Sequence, residues 1–339
     1  MRHRNIPIFI PHMGCPNQCV FCNQRSISGC AEFHSETVKE QIDRALSTIE
    51  ADCEVEIAFF GGSFTGIERE LMLRLLELAE GYVREGRVAS IRLSTRPDYI
   101  SDEILEILSH YSVRSIELGL QSMDDEVLLA TKRGHTAEEA KKACRDVVKA
   151  GFILTGQMMI GLPASTREKE IMTARTIAEL GASAVRVYPT VVFYDTPLYQ
   201  MAVSGAYRPL SLSEAVTRTA DVLEIFEAAR IPCIRIGLCA TEDLTSPEKV
   251  YAGPNHPALG ELVMSECYYR RLYETVQKNA LQGKDVVLHV PPRESSRAVG
   301  QHRSNVVRLL EETGARIVRV LHTEAENFTL TVASSHQYP

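Results

Sequence analysis

A chain of 339 residues, 45% hydrophobic and 24% charged, has the composition of a globular protein that buries one large core, alone or with a small appended domain. No apolar run approaches the length of a membrane span, and the opening MRHRNIPIFIPHMG is too short and too polar for a signal peptide, so a cytoplasmic protein without membrane contact is expected. The net charge of −7 argues against a general polyanion binder, though not against a local basic face, and nine cysteines in a reducing compartment favour metal or catalysis over disulfides.

Along the chain, short β-rich runs alternate with amphipathic helical stretches. Strands are expected at 6–11, 55–60, 89–94, 115–120, 152–160 and 184–189. Between them, SETVKEQIDRALSTIEAD sets Val38, Ile42, Leu46 and Ile49 on one helical face, with Thr37 and Glu40 spaced as a capping box. Further helices are expected in ERELMLRLLELAEGYV, SDEILEILSHY, AEEAKKACRDVVKAG and STREKEIMTARTIAELGA, with Gly151 and Gly181 at C-caps. Six such βα units imply a parallel sheet, either doubly wound or a partial (β/α)6 barrel of TIM type. In both, chemistry gathers at the C-terminal ends of the strands.

That rim is where the unusual loops fall: a cysteine cluster after the first strand, then GGSFTG, STRPDY, GLQS and IGLP. A Pro-, Gly- and Asn-rich stretch, TSPEKVYAGPNHPALG, then separates a main body expected at 1–241 from a tail at 242–339. The tail reads helix (261–280), strand, helix, helix, strand, strand, an α/β pattern.

The stretch HMGCPNQCVFCNQ places Cys15, Cys19 and Cys22 among Pro, Asn, Gln and Gly, which is no core face. A zinc site completed by His12 or Cys30 is chemically sound, but zinc alone leaves the other rim loops unexplained. An iron–sulfur cubane held by three thiolates keeps one iron open to a small molecule.

The Cys-x3-Cys-x2-Cys spacing, with Phe21 directly before the last cysteine, resembles the radical S-adenosylmethionine superfamily. The resemblance implies a 4Fe-4S cluster on Cys15, Cys19 and Cys22, with S-adenosylmethionine chelating the fourth iron and cleaved to a 5′-deoxyadenosyl radical. It further implies an external electron donor such as flavodoxin or ferredoxin. FFGGSFTG resembles the glycine motif of that superfamily, in which Gly61 and Gly62 admit the cofactor's amino group. LSTRPDY and MMIGLP resemble later cofactor-contacting segments, which brings in Ser94, Arg96 and Ile160. Glu117 and Gln121, at the end of the fourth strand, and Arg133, in KRGH beside His135, are further candidates for cofactor contact; Arg96 has Asp98 as an alternative partner.

IELGLQSMDDEVLLATKRGHT and VRVYPTVVFYDTPLYQMAVSGAYRPLS narrow the resemblance to the radical domain of the Elongator catalytic subunit, a tRNA-modifying protein. No stretch matches that subunit's acetyltransferase domain, so whether acetyl-CoA is used stays open. Gln24 stands where oxygen-independent coproporphyrinogen oxidases carry a further cysteine, which weakens a porphyrin reading. Tyr188 is a candidate for lining the substrate cavity.

In the tail, DVVLHVPPRESSRAVGQHRSNVVRLLEETGARIVRVL is similar to a KH nucleic-acid module, in which a G-x-x-G loop clamps the sugar–phosphate backbone. Here the loop is Gly300-Gln301-His302-Arg303, so the second glycine is replaced by a cation. Gly300, His302 and Arg303 are therefore the candidate RNA contacts; a cap or dimer interface is the competing account. The expectation is a radical enzyme modifying RNA, most directly tRNA. The alternatives are a radical enzyme on a small molecule and a zinc-stabilised nucleic-acid-binding module without catalysis.

Overall fold

The computed structural model describes residues 2–15, 19–23, 33–50, 52–238 and 248–333. The expected boundary at 242, with Gln24 and Cys30, lies outside the described residues. The chain divides into two compact units: one comprises 1–215 and 225–255, the other 216–224 and 256–339.

The first unit is built on β1 (Arg2–Ile10), α1 (Val38–Thr48), β2 (Cys53–Gly61), α2 (Arg69–Arg84), β3 (Ser90–Thr95), α3 (Asp102–Ser109) and β4 (Val113–Gln121). It continues with α4 (Asp125–Ala130), α5 (Ala137–Lys149), β5 (Ile153–Ile160), α6 (Arg167–Glu179), β6 (Ala184–Pro189), β7 (Val192–Phe193), α7 (Pro197–Val203), the two ends of α8 (Leu212–Ala228), whose residues 216–224 are counted with the second unit, β8 (Cys233–Ile236) and β9 (Val250–Ala252). Seven strands pair in parallel in the order β1-β2-β3-β4-β5-β6-β8, the curled open sheet of a partial TIM-type barrel. The six expected strands are present with ends shifted by a few residues. The seventh, CIRI, was not expected, because four residues with a central arginine give little apolar signal. β7 and β9 form a small antiparallel ribbon of their own.

Strand alternation sorts the side chains into two sets. Ile6, Ile8, Ile57, Phe59, Ile91, Leu93, Ile116, Leu118, Leu154 and Val187 form the apolar set and are buried. Each contributes about 1.5–3 kcal/mol through burial. Gly156 belongs to this set: a Cβ there would lie 2.7 Å from Ile177 of α6, so the helix can approach the sheet only over glycine. The opposite set faces the barrel interior and is polar: Glu56, Arg92, Ser94, Glu117, Gln157, Arg186 and Tyr188.

The capping box expected at Thr37 and Glu40 does not form. A 3-10 turn, Ser35–Thr37, precedes α1, and the Thr37 hydroxyl turns back to donate to His34 O at 2.8 Å. Reciprocal capping boxes occur instead at Thr136/Glu139 and Ser211/Glu214. Gly151 and Gly181 follow their helices with φ of 88° and 81°, as C-terminal glycines do.

The second unit contains α9 (Leu259–Lys278), β10 (Asp285–Val290), α10 (Ser295–Val299), α11 (Ser304–Thr313), β11 (Arg316–His322) and β12 (Thr329–Val332). Its sheet runs β11-β10-β12, with β11 parallel and β12 antiparallel to β10. Tyr268, Tyr269, Leu272 and Val276 of α9 pack with Val286, Leu288, Leu309 and Ile317 as its core. Among the described residues, no helix is long and apolar enough to cross a membrane.

Candidate active site at the rim of the half-barrel

β1 and β2 lie in register, with Ile10 beside Gly61, so both strands deliver their following loops to the same end of the sheet. There the two loops interlock through backbone. Gly62 N–H donates to Ile10 O at 2.7 Å and Ser63 N–H to Met13 O at 2.9 Å. A Cβ on Gly62 would lie 2.0 Å from Met13 O, and one on Gly14 would lie 2.2 Å from Ser63 O. Gly61 has φ 106° and Gly14 φ 71°, conformations that favour glycine. The glycine motif thus holds the start of the cysteine loop by close backbone contact.

The loop is then tied to two further elements. Val20 N–H donates to Thr131 O at 3.2 Å, and Val20 O accepts from Leu198 N–H at 2.9 Å. Cys19 is buried, while Cys15 and Cys22 are half-buried. Phe21 packs beside Val127, Met159 and Leu162, a cluster that Tyr188 also joins. Burial pushes the Cys15 thiol up, with Arg96 and Arg133 opposing and Cys19 adding to the rise.

Arg133 brings its guanidinium to the cysteines. Nη1 donates to Cys19 Sγ at 3.2 Å, and Nη2 donates to Gly119 O at the end of β4. Arg96 donates to the backbone carbonyl of Arg133 and forms a bidentate pair with Asp98, both bonds being 2.9 Å. Of the two roles weighed for Arg96, the structure displays the pairing with Asp98. Behind them, His135 has a fully buried side chain 3.7 Å from Asp98. Desolvation first, then the charge of Arg133, drives the imidazole down to about 4, with Asp98 opposing. Beside this string, Ser63, Thr65 and Thr95 share a hydroxyl network at 2.6–2.8 Å.

Deeper on the interior face, Arg186 Nε lies 3.0 Å from Glu117 Oε2, and Arg186 Nη1 donates to Tyr188 Oη at 3.1 Å. The guanidinium also sits 5.1 Å from the centroid of the Phe60 ring. Burial, reinforced by Glu117, pushes the Tyr188 phenol up to about 12. Gln121, at a φ of 65°, exchanges two amide hydrogen bonds with Gln157, at 2.9 and 2.8 Å. Ser94 is the register neighbour of Glu117. At the N-terminal end, Arg92, His3 and Ser90 surround Glu56; although desolvation raises it, hydrogen bonds from Ser90 and His3 hold this carboxyl below its usual range.

The rim therefore gathers Cys15, Cys19, Gly62, Arg96 and Arg133 around one loop, and Glu117, Tyr188 and Gln121 line the interior beneath. Ile160 is fully buried, and its carbonyl accepts from Thr190 N–H and Oγ1 at 2.9 and 2.8 Å. Gly300, His302 and Arg303 belong to the second unit. There a Cβ on Gly300 would lie 2.4 Å from Ser304 Oγ, and His302 and Arg303 both adopt left-handed backbone, φ 52° and 64°. Both side chains are exposed. Arg186, Gln157 and Phe60 escaped the sequence reading. The signal for Arg186 was available: AVRVYP alternates it with Tyr188 on one strand face.

A donor set of three thiols suits a soft metal or an iron–sulfur cluster.

Half-barrel, rim loops and three-cysteine donor set together define a radical enzyme, and the family comparison agrees. The Radical SAM superfamily model matches residues 9–177 and the Radical_SAM C-terminal domain matches 182–269; the chain belongs to the radical S-adenosylmethionine superfamily and is an enzyme. Among curated proteins, an uncharacterized protein of Methanocaldococcus jannaschii is 29% identical over 65% of this chain and 70% of its own length. The tRNA uridine(34) acetyltransferase of the same organism is 27% identical over 48% of this chain and 34% of its own. Elongator complex protein 3 of Saccharomyces cerevisiae is 26% identical over 51% of this chain and 34% of its own, so the chain spans about a third of the length of these last two. Among solved structures, archaeal Methanocaldococcus infernus Elp3 with an N-terminal deletion shares the fold at a TM-score of 0.59 and 21% identity, over 83% of this chain and 64% of that one.

Proposed function

We propose that this enzyme holds a 4Fe-4S cluster on Cys15, Cys19 and Cys22, binds S-adenosylmethionine beside it, and modifies RNA, most directly tRNA. The observation that carries the reading is the bond from Arg133 to Cys19 in a loop clamped by Gly62 and Ser63. It supplies fixed positive charge to a set of thiolates that otherwise repel one another. When bound, the cluster supplies one electron and the cofactor supplies a 5′-deoxyadenosyl group able to abstract hydrogen. An external reductant such as flavodoxin or ferredoxin delivers that electron.

The chain's own residues do the rest. The backbone of Gly62 and Ser63 orders the cysteine loop, and Arg96, held by Asp98, anchors the Arg133 segment. Gln121 and Glu117 offer polar contacts to the cofactor on the interior face. Tyr188, kept a neutral phenol by its burial, presents a hydroxyl to substrate beside the Arg186 guanidinium.

The tRNA assignment draws on the likeness to the tRNA uridine(34) acetyltransferase and Elongator complex protein 3. In the second unit, the strand–helix–helix–strand run with its exposed His302–Arg303 loop supports a backbone-binding role of KH type. The test is mass spectrometry of tRNA nucleosides from a strain lacking the gene. A modified nucleoside that disappears, and returns with the wild-type gene but not with Cys22→Ala, supports the reading. An unchanged nucleoside profile turns the assignment to a small-molecule substrate.

A further inference from the structure

We infer that Tyr194, Tyr199 and Tyr251 form a stacking platform for unpaired bases of the RNA substrate, placed beside the cysteine loop. The inference rests on the RNA reading above and names how that substrate is gripped. All three residues belong to the first unit. Their ring centroids lie 5.0–5.7 Å apart, and the rings meet at 58–73°. Edge-on packing of this kind does not use up the ring faces. Tyr194 and Tyr251 remain 38% and 42% exposed, so two large rings of one cluster are left to solvent.

The stretch VVFYDTPLYQ builds the platform locally. Thr196 Oγ1 donates to Phe193 O at 2.7 Å and accepts from Tyr199 N–H at 3.3 Å, so the turn before α7 folds Tyr199 back toward Tyr194. Tyr194 N–H donates to Lys249 O at 3.1 Å. Val192 and Phe193 pair with Ala252 and Val250, which sets Tyr251 across the ribbon. β9 is fixed in turn, since a Cβ on Gly253 would lie 2.7 Å from Thr190 O. The rings are thus held in place before a ligand arrives, and little ordering is needed on binding.

Position and charge point to the occupant. Leu198, next to Tyr199, donates its N–H to Val20 O inside the cysteine loop at 2.9 Å. Tyr199 packs against the cluster of Val20, Val192, Leu198 and Tyr207, which Phe21 also joins. A base brought to the rim for chemistry must leave its stack, and the bases beside it lose a neighbour. Aromatic rings alongside the loop replace that neighbour, because every base has a π-face. Lys249 is exposed near Tyr194, but Asp195 and Glu248 are exposed there too. The patch therefore neutralises little phosphate charge and binds through the bases, which suits single-stranded and not duplex RNA.

The test is binding of the full chain to an RNA hairpin carrying 2-aminopurine in its single-stranded loop, with a paired duplex as control, over a range of salt. Stacking on the rings is expected to quench the 2-aminopurine emission in the wild type, a readout free of any variant's folding. Unchanged or raised emission from bound hairpin overturns the inference. Tyr194→Ala and Tyr251→Ala are each expected to weaken hairpin binding about tenfold without changing its salt slope, while Tyr251→Phe keeps the wild-type affinity. Equal affinity in the alanine variants, or a changed salt slope, overturns it. A wild-type dimer in sedimentation that Tyr251→Ala dissociates at unchanged RNA affinity gives the rings to a second copy and overturns it as well. A wild-type protein that binds neither hairpin nor tRNA defeats the RNA reading itself, which separates the two failures.

Discussion

The carbonyl oxygen of Met13 occupies the place where a side chain at Gly62 would begin: a Cβ there would sit 2.0 Å from it. Backbone, not a flexible side chain, blocks the position, so Gly62→Ala must separate the β2 loop from the cysteine loop. We expect a loss of about 2–3 kcal/mol in stability, together with reduced iron uptake. Urea unfolding and iron analysis on the same preparation check both. Full iron content at unchanged stability would show that the two loops move independently.

Arg186 and Glu117 form a buried ion pair on the interior face, with side chains 15% and 7% exposed. Arg186→Met leaves the Glu117 carboxylate buried without this partner and should cost about 3 kcal/mol. Adding Glu117→Gln to that variant should restore most of the loss, since a neutral amide tolerates burial better. Glu117→Gln alone also removes a negative charge near Tyr188, so its phenol should titrate below the value of about 12. Denaturant unfolding and ultraviolet difference spectroscopy make the two measurements.

His135 gives the first unit an acid sensitivity whose sign is fixed by burial. Its folded value of about 4 lies below the ordinary 6.5, so the unfolded chain binds more protons between these limits. The stability it contributes is complete above about pH 6.5 and declines as pH falls toward 4. His135→Gln should flatten that part of the profile. Thermal midpoints followed from pH 7 to pH 4 in both proteins test it, and parallel curves would count against the assignment.

Asn305 stands immediately beyond the 300–303 loop and is 5% exposed. Its amide nitrogen lies 3.0–3.3 Å from Ser265 O and Oγ, Arg297 O and Ala298 O, and shares its two N–H donors among them. Asn305→Leu leaves these buried acceptors without that donor and should cost about 2–3 kcal/mol. Unfolding of the full chain by urea checks the loss. If His302 and Arg303 grip a phosphate backbone, the same variant also weakens tRNA binding, measured at matched folded fraction.

Periodicity made most of the fold legible. Ile6, Ile8 and Ile10 alternate with polar or partly exposed neighbours, and helices such as Ala137–Lys149 carry clear apolar faces. The strand Cys233–Ile236 was illegible because backbone pairing with β6 holds it in place while none of its side chains is fully buried, so its composition carries no apolar face. The capping box at Thr37 failed for a related reason, since a preceding 3-10 turn redirected the hydroxyl and no pattern of residue types announces that turn.

The site divides in the same way. That the cysteine and glycine loops share one rim could be read from the order of strands and loops, and backbone contacts between Gly62, Ser63, Ile10 and Met13 join them there. The pairing of Arg96 with Asp98 was legible too, being local, but the links from Arg96 to Arg133 and from Arg133 to Cys19 were not, because they join residues 37 and 114 positions apart. Gln157, paired with Gln121 at a separation of 36 residues, was hidden for the same reason.

The most direct measurement is anaerobic reconstitution of the full chain, with metal and sulfide analysis and an assay for 5′-deoxyadenosine after adding dithionite and S-adenosylmethionine. The account predicts about four irons and four sulfides per chain, with 5′-deoxyadenosine formed by the wild type and none by Cys22→Ala. Stoichiometric zinc without sulfide, or 5′-deoxyadenosine from Cys22→Ala at the wild-type rate, would contradict it.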